Sequence, residues 1–228
     1  MDTFAFEYLV DRGVTRICHF TKTVSLLHIF RSEDGILATK FLDEDIKRQN
    51  DLERLDNEIV YINCSIQYPN YWYWKKIKDK DPIFKKWVIL FISPEIIKYR
   101  DLKFSPCNAA TGYGRYISSD NKTLTKMFAP QLEVKGSWTR TERMLNCCPT
   151  DDQCEILVHK NIPLEFITGI AVPNDEVAQD IIAQFKTLGI DNYPLLYITP
   201  AIFDGSWSGA VRRGTIPAER KFLGGDSL

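Results

Sequence analysis

Apolar and polar positions along this chain follow two periods. Phe4, Phe6, Leu9 and Val10 fall at helical spacing and stop at Gly13, which predicts a first helix closed by a glycine. Val14–Phe20 reads as a strand, after which Thr21 or Thr23 is placed to cap a helix through Val24, Leu26, Leu27, Ile29 and Phe30. Glu58–Ile66 predicts a second strand, stopped by Tyr68-Pro69-Asn70. The uninterrupted apolar run Trp87–Ile92 predicts a long buried strand, and Leu102–Phe104 a short one. Leu124–Phe128 reads as helical. Glu155–Val158 and Phe166–Val172 read as strands, Glu176–Leu188 as an amphipathic helix ended by Gly189, and Tyr193–Thr199 as a last strand.

Three stretches carry neither period. Asp43–Asn57 is densely charged with no continuous apolar face and reads as an exposed, mobile loop with helical pieces. Asn108–Ser119 is rich in Gly, Ala, Ser and Tyr and reads as a second loop. Residues 130–152 form a third, and a loop of that length inside a compact domain is usually functional. No internal repeat or boundary divides the chain. The pattern predicts one α+β domain over residues 1–200, followed by a polar, glycine-rich tail of uncertain order over 201–228.

Composition narrows the class. The chain has 228 residues, 44% hydrophobic and 26% charged, which suits one soluble domain with a real core. No apolar run is long enough to span a bilayer, and Asp2 and Glu7 interrupt any secretory signal, so a cytoplasmic protein without a membrane partner is expected. The six cysteines include no CxxC pair, so no metal site is expected and the thiols read as small hydrophobes. A formal net charge of −1 leaves any nucleic-acid site to a local basic patch.

Candidate chemistry centres on Glu155, which stands at the mouth of the apolar run Ile156-Leu157-Val158 behind the turn residues Pro149-Thr150-Asp151-Asp152. A carboxylate so placed either pairs with a buried cation or does chemistry. Four other pieces have bland and functional readings side by side. His19 at a strand end is either a satisfied structural residue or a ligand contact. Arg54 belongs either to a solvated charge run or to a binding loop. The aromatic cluster from Tyr68 to Trp74 suits core packing or base stacking. Asn108-Ala109-Ala110 carries nothing alone. There is no GxGxxG, no P-loop and no HExxH, and Gly205-Ser206-Trp207-Ser208-Gly209 lacks the strand–turn–helix setting of a hydrolase elbow.

Taken in order, these pieces resemble the DarT family, the toxin half of DarT–DarG toxin–antitoxin systems. The likeness covers roughly residues 5–190. It is carried by Cys18-His19-Phe20-Thr21, Glu53-Arg54-Leu55-Asp56-Asn57, Ser65-Ile66-Gln67-Tyr68-Pro69-Asn70, Phe104–Ala110, Met127-Phe128-Ala129 and Pro149–Val158. Cys154 stands where Ala is expected, a small-for-small change. The resemblance implies an ADP-ribosyltransferase fold, with split antiparallel β-sheets around an NAD cleft and peripheral helices. It further implies a toxin that transfers ADP-ribose from NAD, as co-substrate, to a base of single-stranded DNA. The match looks closest to the guanine-modifying branch; thymine, RNA or protein acceptors, or a non-catalytic nucleic-acid-binding module, are the alternatives. By the same resemblance Glu155 and Arg54 are catalytic, and His19, Thr21 and Arg54 bind NAD. Trp138, Arg140 and Arg143, in the loop before Glu155, meet the DNA. The implied protein partner is a DarG-type macrodomain antitoxin on a separate chain.

Overall fold

The structure is a computed structural model that describes residues 3–42, 55–80, 86–134 and 136–224. Its centre is β4 (Trp87–Ile92), buried at every position. Successive side chains of a strand point to opposite faces, and here the two faces feed two cores. Val88, Leu90 and Ile92 enter the larger one, while Ile89 and Phe91 enter the smaller. The unbroken apolar run is therefore the signature of a strand covered on both sides.

β4 is flanked by β1 (Ile17–Lys22) and β10 (Ile167–Val172), both antiparallel to it. Beyond β10 come β11 (Leu196–Ile198), which pairs parallel, and the two-residue β12 (Arg220–Lys221). On the other side lie β3 (Tyr61–Ile66), β8 (Glu155–His159) and β5 (Leu102–Ser105), paired antiparallel. The eight-stranded order is β12-β11-β10-β4-β1-β3-β8-β5. This is an α+β fold dominated by antiparallel pairing, as expected.

One seam in this sheet is weak. β1 matches β4 over six residue pairs but meets β3 at only two, Ile17 with Ile66 and Cys18 with Ser65. From His19 onward the two strands part, so β3-β8-β5 swings away from the rest of the sheet and a cleft opens between the halves.

The larger core is closed by α1 (Phe4–Asp11), α2 (Leu26–Arg31) and a later long helix, Asp175–Thr187. In that last helix Ala178, Ile181 and Phe185 repeat at helical spacing and are buried, and Asn174 caps its start by accepting from the Val177 amide at 3.0 Å. The aromatic cluster after Asn70 and the charged residues behind it form a single helix, α3 (Tyr71–Lys80), in which only Trp74 is buried. With α4 (Asn121–Lys126) in place, the Asp175–Thr187 helix is α5. The stretch 130–152 contains a small hairpin, β6 (Gln131–Glu133) with β7 (Ser137–Thr139). A further two-stranded ladder joins β2 (Ile36–Leu37) to β9 (Asn161–Ile162).

The end of the chain corrects the sequence reading. Residues after 200 are not a loose tail up to Gly224. They form α6 (Pro200–Asp204), α7 (Ser206–Arg212) and β12. Ile202, Trp207 and Val211 cover the smaller core, with the Trp207 ring stacked on Tyr68 at 5.0 Å. Gly205 turns the chain between the two helices at φ 79°, with the Tyr71 ring so close that a Cβ would sit 2.5 Å from it. Glu219 takes Arg16 bidentately at 2.7 and 2.5 Å. Average composition hid this because one tryptophan, one isoleucine and one valine supply the anchorage.

Trp207→Ala is expected to cost about 3–5 kcal/mol of stability, the usual effect of emptying a buried tryptophan site. Equilibrium denaturant unfolding followed by circular dichroism measures it; a midpoint equal to the wild type's would show that the terminal helices carry no weight.

Candidate functional site

Glu155 opens β8 directly between Ser65 of β3 and Ser105 of β5. Residues facing one another across antiparallel strands share a face of the sheet, so the carboxylate is flanked by two short side chains that leave room for longer ones to reach it. Asn63, diagonally placed on β3, is the first of these. Its Nδ2 donates to Glu155 Oε2 at 3.1 Å and to Asp56 Oδ2 at 2.9 Å, so one amide bridges two carboxylates. Asn70 Nδ2 donates to Oε1 at 2.8 Å, Asn108 Nδ2 donates to Oε1 at 3.1 Å, and the Ala109 backbone amide donates to Oε2 at 3.3 Å.

Each outer asparagine is oriented by its own loop. Asn70 Oδ1 accepts from the Tyr73 amide at 3.1 Å, capping the start of α3, so its NH2 group must turn toward Glu155. The Asn70 amide in turn donates to Ser65 Oγ at 2.8 Å. Asn108 Oδ1 accepts from the Ala110 amide at 3.2 Å in the same manner. The backbone thus holds the two side-chain oxygens and aims the two NH2 groups.

The result is a carboxylate that is 4% exposed and takes four N–H donors, none of them charged. Among the described residues no lysine or arginine pairs with it. Burial is the largest influence and raises its pKa from 4.5 to about 7; the bonds from Asn70, Asn63 and Ala109 pull the other way, and the nearby Asp56 carboxylate adds to the rise. Asp56 is itself buried and accepts from the Glu58 amide at 3.0 Å.

The cleft at the split seam encloses about 420 Å³, and Glu155 lines it together with His19, Thr21, Asn63, Ser65 and Asn108. His19 spans the parting strands: its Nδ1 lies 3.0 Å from the Asn63 carbonyl. A carbonyl only accepts, so the Nδ1 carries a proton and donates it to this bond. The imidazole lies parallel to the Phe20 ring, 6.2 Å away. Lys22 and Arg31 bring positive charge to the same cleft.

Of the residues singled out in the sequence, His19, Thr21 and Glu155 meet in one cavity. Arg54 lies outside the described residues, as does most of the charged segment around it, 43–54. Trp138, Arg140 and Arg143 do not line the cleft. Arg140 donates to the carbonyls of Leu145 at 2.5 Å and Cys148 at 2.6 Å, which fastens the loop before Glu155. Trp138 is 36% exposed, with the Arg212 guanidinium 5.9 Å from its ring, and Arg143 is exposed. Asn63 was missed, and Asp56, Asn70 and Asn108, though quoted in the motifs, were given no role. A signal existed for Asn63: in Tyr61–Ile66 the residues Ile62, Cys64 and Ile66 alternate with Asn63 and Ser65, a polar face beside the Glu155 strand. Among the described residues no group of three or more His, Cys, Asp or Glu side chains is arranged to hold a metal ion, and no helix is long and apolar enough to cross a membrane.

Comparison with known proteins agrees with this architecture. A direct comparison with curated protein sequences found no match. Among solved structures, the chain resembles Thermus sp. 2.9 DarT in complex with NAD+ at TM-score 0.57 and 16% identity, covering 83% of this chain and 97% of that one. The same protein in complex with ADP-ribosylated ssDNA aligns at TM-score 0.56 and 16% identity, over 84% and 97% of the two chains. At this identity the likeness speaks for the fold. The family model described as "ssDNA thymidine ADP-ribosyltransferase, DarT" matches residues 18–204, most of the chain and all of the cleft, and the chain therefore belongs to the DarT family of single-stranded-DNA ADP-ribosyltransferases.

Proposed function

We propose that this chain is a toxin that transfers ADP-ribose from NAD to a base of single-stranded DNA, with Glu155 as the catalytic carboxylate. The observation that carries this reading is the buried Glu155 carboxyl, held by four neutral N–H donors and facing a cleft it shares with His19 and Thr21. The bond from the ribose carbon to the nicotinamide nitrogen breaks, and its electron pair leaves with nicotinamide. A base nitrogen forms the new bond to that carbon and loses a proton. Positive charge gathers on the ribose carbon as the first bond lengthens, and an anion held in a dry site stabilises it strongly. A carboxyl whose pKa is about 7 also suits the second task, because it can take the proton from the base near neutral pH.

The remaining assignments follow from placement. His19 and Thr21 bind a ribose of NAD from β1. Lys22 and Arg31, which line the cleft, are assigned to the pyrophosphate because it is anionic. Arg54 is assigned to the reacting region or the pyrophosphate on the sequence resemblance. Guanine is the acceptor base to which that resemblance points. Thymine is the second reading, favoured by the thymidine named in the family description. A DarG-type macrodomain antitoxin is the proposed partner, and the cytoplasm, where DNA is accessible, the proposed location.

Incubating the protein with labelled NAD and single-stranded oligonucleotides of defined sequence, then locating the mass increase by fragmentation, decides the acceptor. Label on guanine is the expected result; label on thymine selects the second reading. Label on RNA or protein alone, or on nothing, would refute DNA as the acceptor.

Glu155→Ala is expected to lower transfer at least 100-fold while leaving the circular-dichroism spectrum unchanged, since the lost group is a catalyst and removes no charge partner among the described residues. In the wild type, kcat/KM is expected to fall tenfold per pH unit below about pH 7 and to level off above it, because the ionised form does the work.

The same carboxyl makes a stability prediction. The folded state holds the Glu155 proton more tightly than the unfolded chain does, so its contribution is full below pH 4.5 and is lost as pH rises through about 7. Relative to Glu155→Ala, the wild type should therefore lose about 3 kcal/mol of stability between those pH values. Paired denaturant titrations across that range measure the difference; parallel curves for the two proteins would show that the carboxyl is not held at a raised pKa.

A further inference from the structure

The transferase reading requires a place for the acceptor strand close to Glu155, and one loop is rooted in the hydrogen bonds of that carboxylate. We infer that the loop from Asn108 to Ile117 is a binding site for single-stranded nucleic acid, with Tyr113 as a base-stacking platform and Arg115 as a phosphate contact. The inference rests on the transferase reading of the same cleft.

The root of this loop is part of the Glu155 site. Asn108 and the Ala109 amide both donate to the carboxylate, and Ala110 lines the cleft. The tip is held close by. The Tyr113 amide donates to the Ala110 carbonyl at 3.3 Å, so the aromatic residue sits one turn from the cavity wall. Three more turn bonds stiffen the loop: Thr111 N–H to the Asn108 carbonyl, Arg115 N–H to that of Gly112, and Ile117 N–H to that of Gly114. Gly114 packs its α-carbon against the Asp56 carbonyl, where a Cβ would come within 2.6 Å, so the tip is seated against the residue that shares Asn63 with Glu155.

What this stiff loop presents outward is a large aromatic ring. Tyr113 is 77% exposed and stands at φ 58° between Gly112 at 61° and Gly114 at 83°. A tyrosine gains nothing for the fold there: its ring is in solvent, and its backbone conformation is one that glycine adopts at lower cost. Beside it Arg115 lies folded over Gly112 with its guanidinium 4.6 Å from the Tyr116 ring and donating to the Tyr116 hydroxyl, and no carboxylate among the described residues pairs with it. An exposed ring with an adjacent arginine, on a loop whose root residues Asn108 and Ala110 line the cavity, offers what a single strand needs: a face for one base and a charge for its phosphate.

Fluorescence anisotropy of a labelled single-stranded oligonucleotide, recorded without NAD, tests the site. Tyr113→Gly is expected to weaken binding about 5- to 100-fold, the value of one base stack, while its thermal midpoint stays equal to or above the wild type's because glycine relieves the positive φ. Tyr113→Phe should retain binding. Arg115→Ala should reduce the slope of log affinity against log salt by about 0.7, the share of one phosphate on a single strand. Wild-type affinity in Tyr113→Gly, together with an unchanged KM for DNA in the labelled-NAD assay, overturns this inference and leaves the transferase reading standing. A wild-type protein that neither binds nor labels DNA overturns both.

Discussion

The site depends on an anion kept out of water without an opposite charge among the described residues. Burying a carboxylate is costly, and proteins commonly offset the cost with arginine or lysine. Here the offset comes from dipoles: three asparagine amides and one backbone N–H converge on Glu155. The choice has a chemical consequence. A resident cation would hold the carboxylate permanently ionised and already satisfied. Neutral donors orient the carboxylate and leave its charge uncompensated by any cation among the described residues.

That arrangement requires the sheet to divide. Had β1 stayed paired with β3 along its length, His19 to Lys22 would have met β3 backbone and no cavity would lie in front of Glu155. The ladder ends after two pairs, and the His19 ring reaches the Asn63 carbonyl across the opening. Asn63 thereby works with both ends: its carbonyl meets His19, and its amide meets Asp56 and Glu155. The opposite edge of the sheet is steadied by elements remote in sequence. Arg212 on α7 donates to Asp152 and to the Thr150 carbonyl at 3.1 Å, in the turn that leads into β8. The terminal helices therefore brace the strand that carries the carboxylate.

Legibility in the sequence followed how each residue acts. Trp87–Ile92 was readable because full burial leaves a continuous apolar run, and Glu155 because a carboxylate before such a run is chemically anomalous. Asn70 and Asn108 were not, since an asparagine beside Pro69 or in a glycine-rich loop is the ordinary residue of a turn. Their roles exist only because two loops distant in sequence close on one carboxyl. The helix α3 escaped notice because its aromatic residues precede its charged ones, so composition changed where structure did not. The terminal helices escaped because a few large side chains, spaced among serine and glycine, carry their packing. Arg140 misled in the opposite direction: an arginine in a long loop suggests phosphate, whereas this one satisfies two carbonyls of its own loop.

These contacts also explain why the loop after β5 is stiff where loops are usually soft. Its root is fixed by donating to Glu155, and its tip rests on Asp56, which is bound to the same asparagine as Glu155. Any displacement of the tip is therefore felt by the hydrogen bonds that set the carboxylate's orientation. The loop and the Glu155 carboxylate are joined through covalent chain and the shared Asn63 amide. A shift of the loop would withdraw the Asn108 and Ala109 donors from Glu155. The loop, Asp56 and the carboxylate are, in this cleft, parts of one hydrogen-bonded unit.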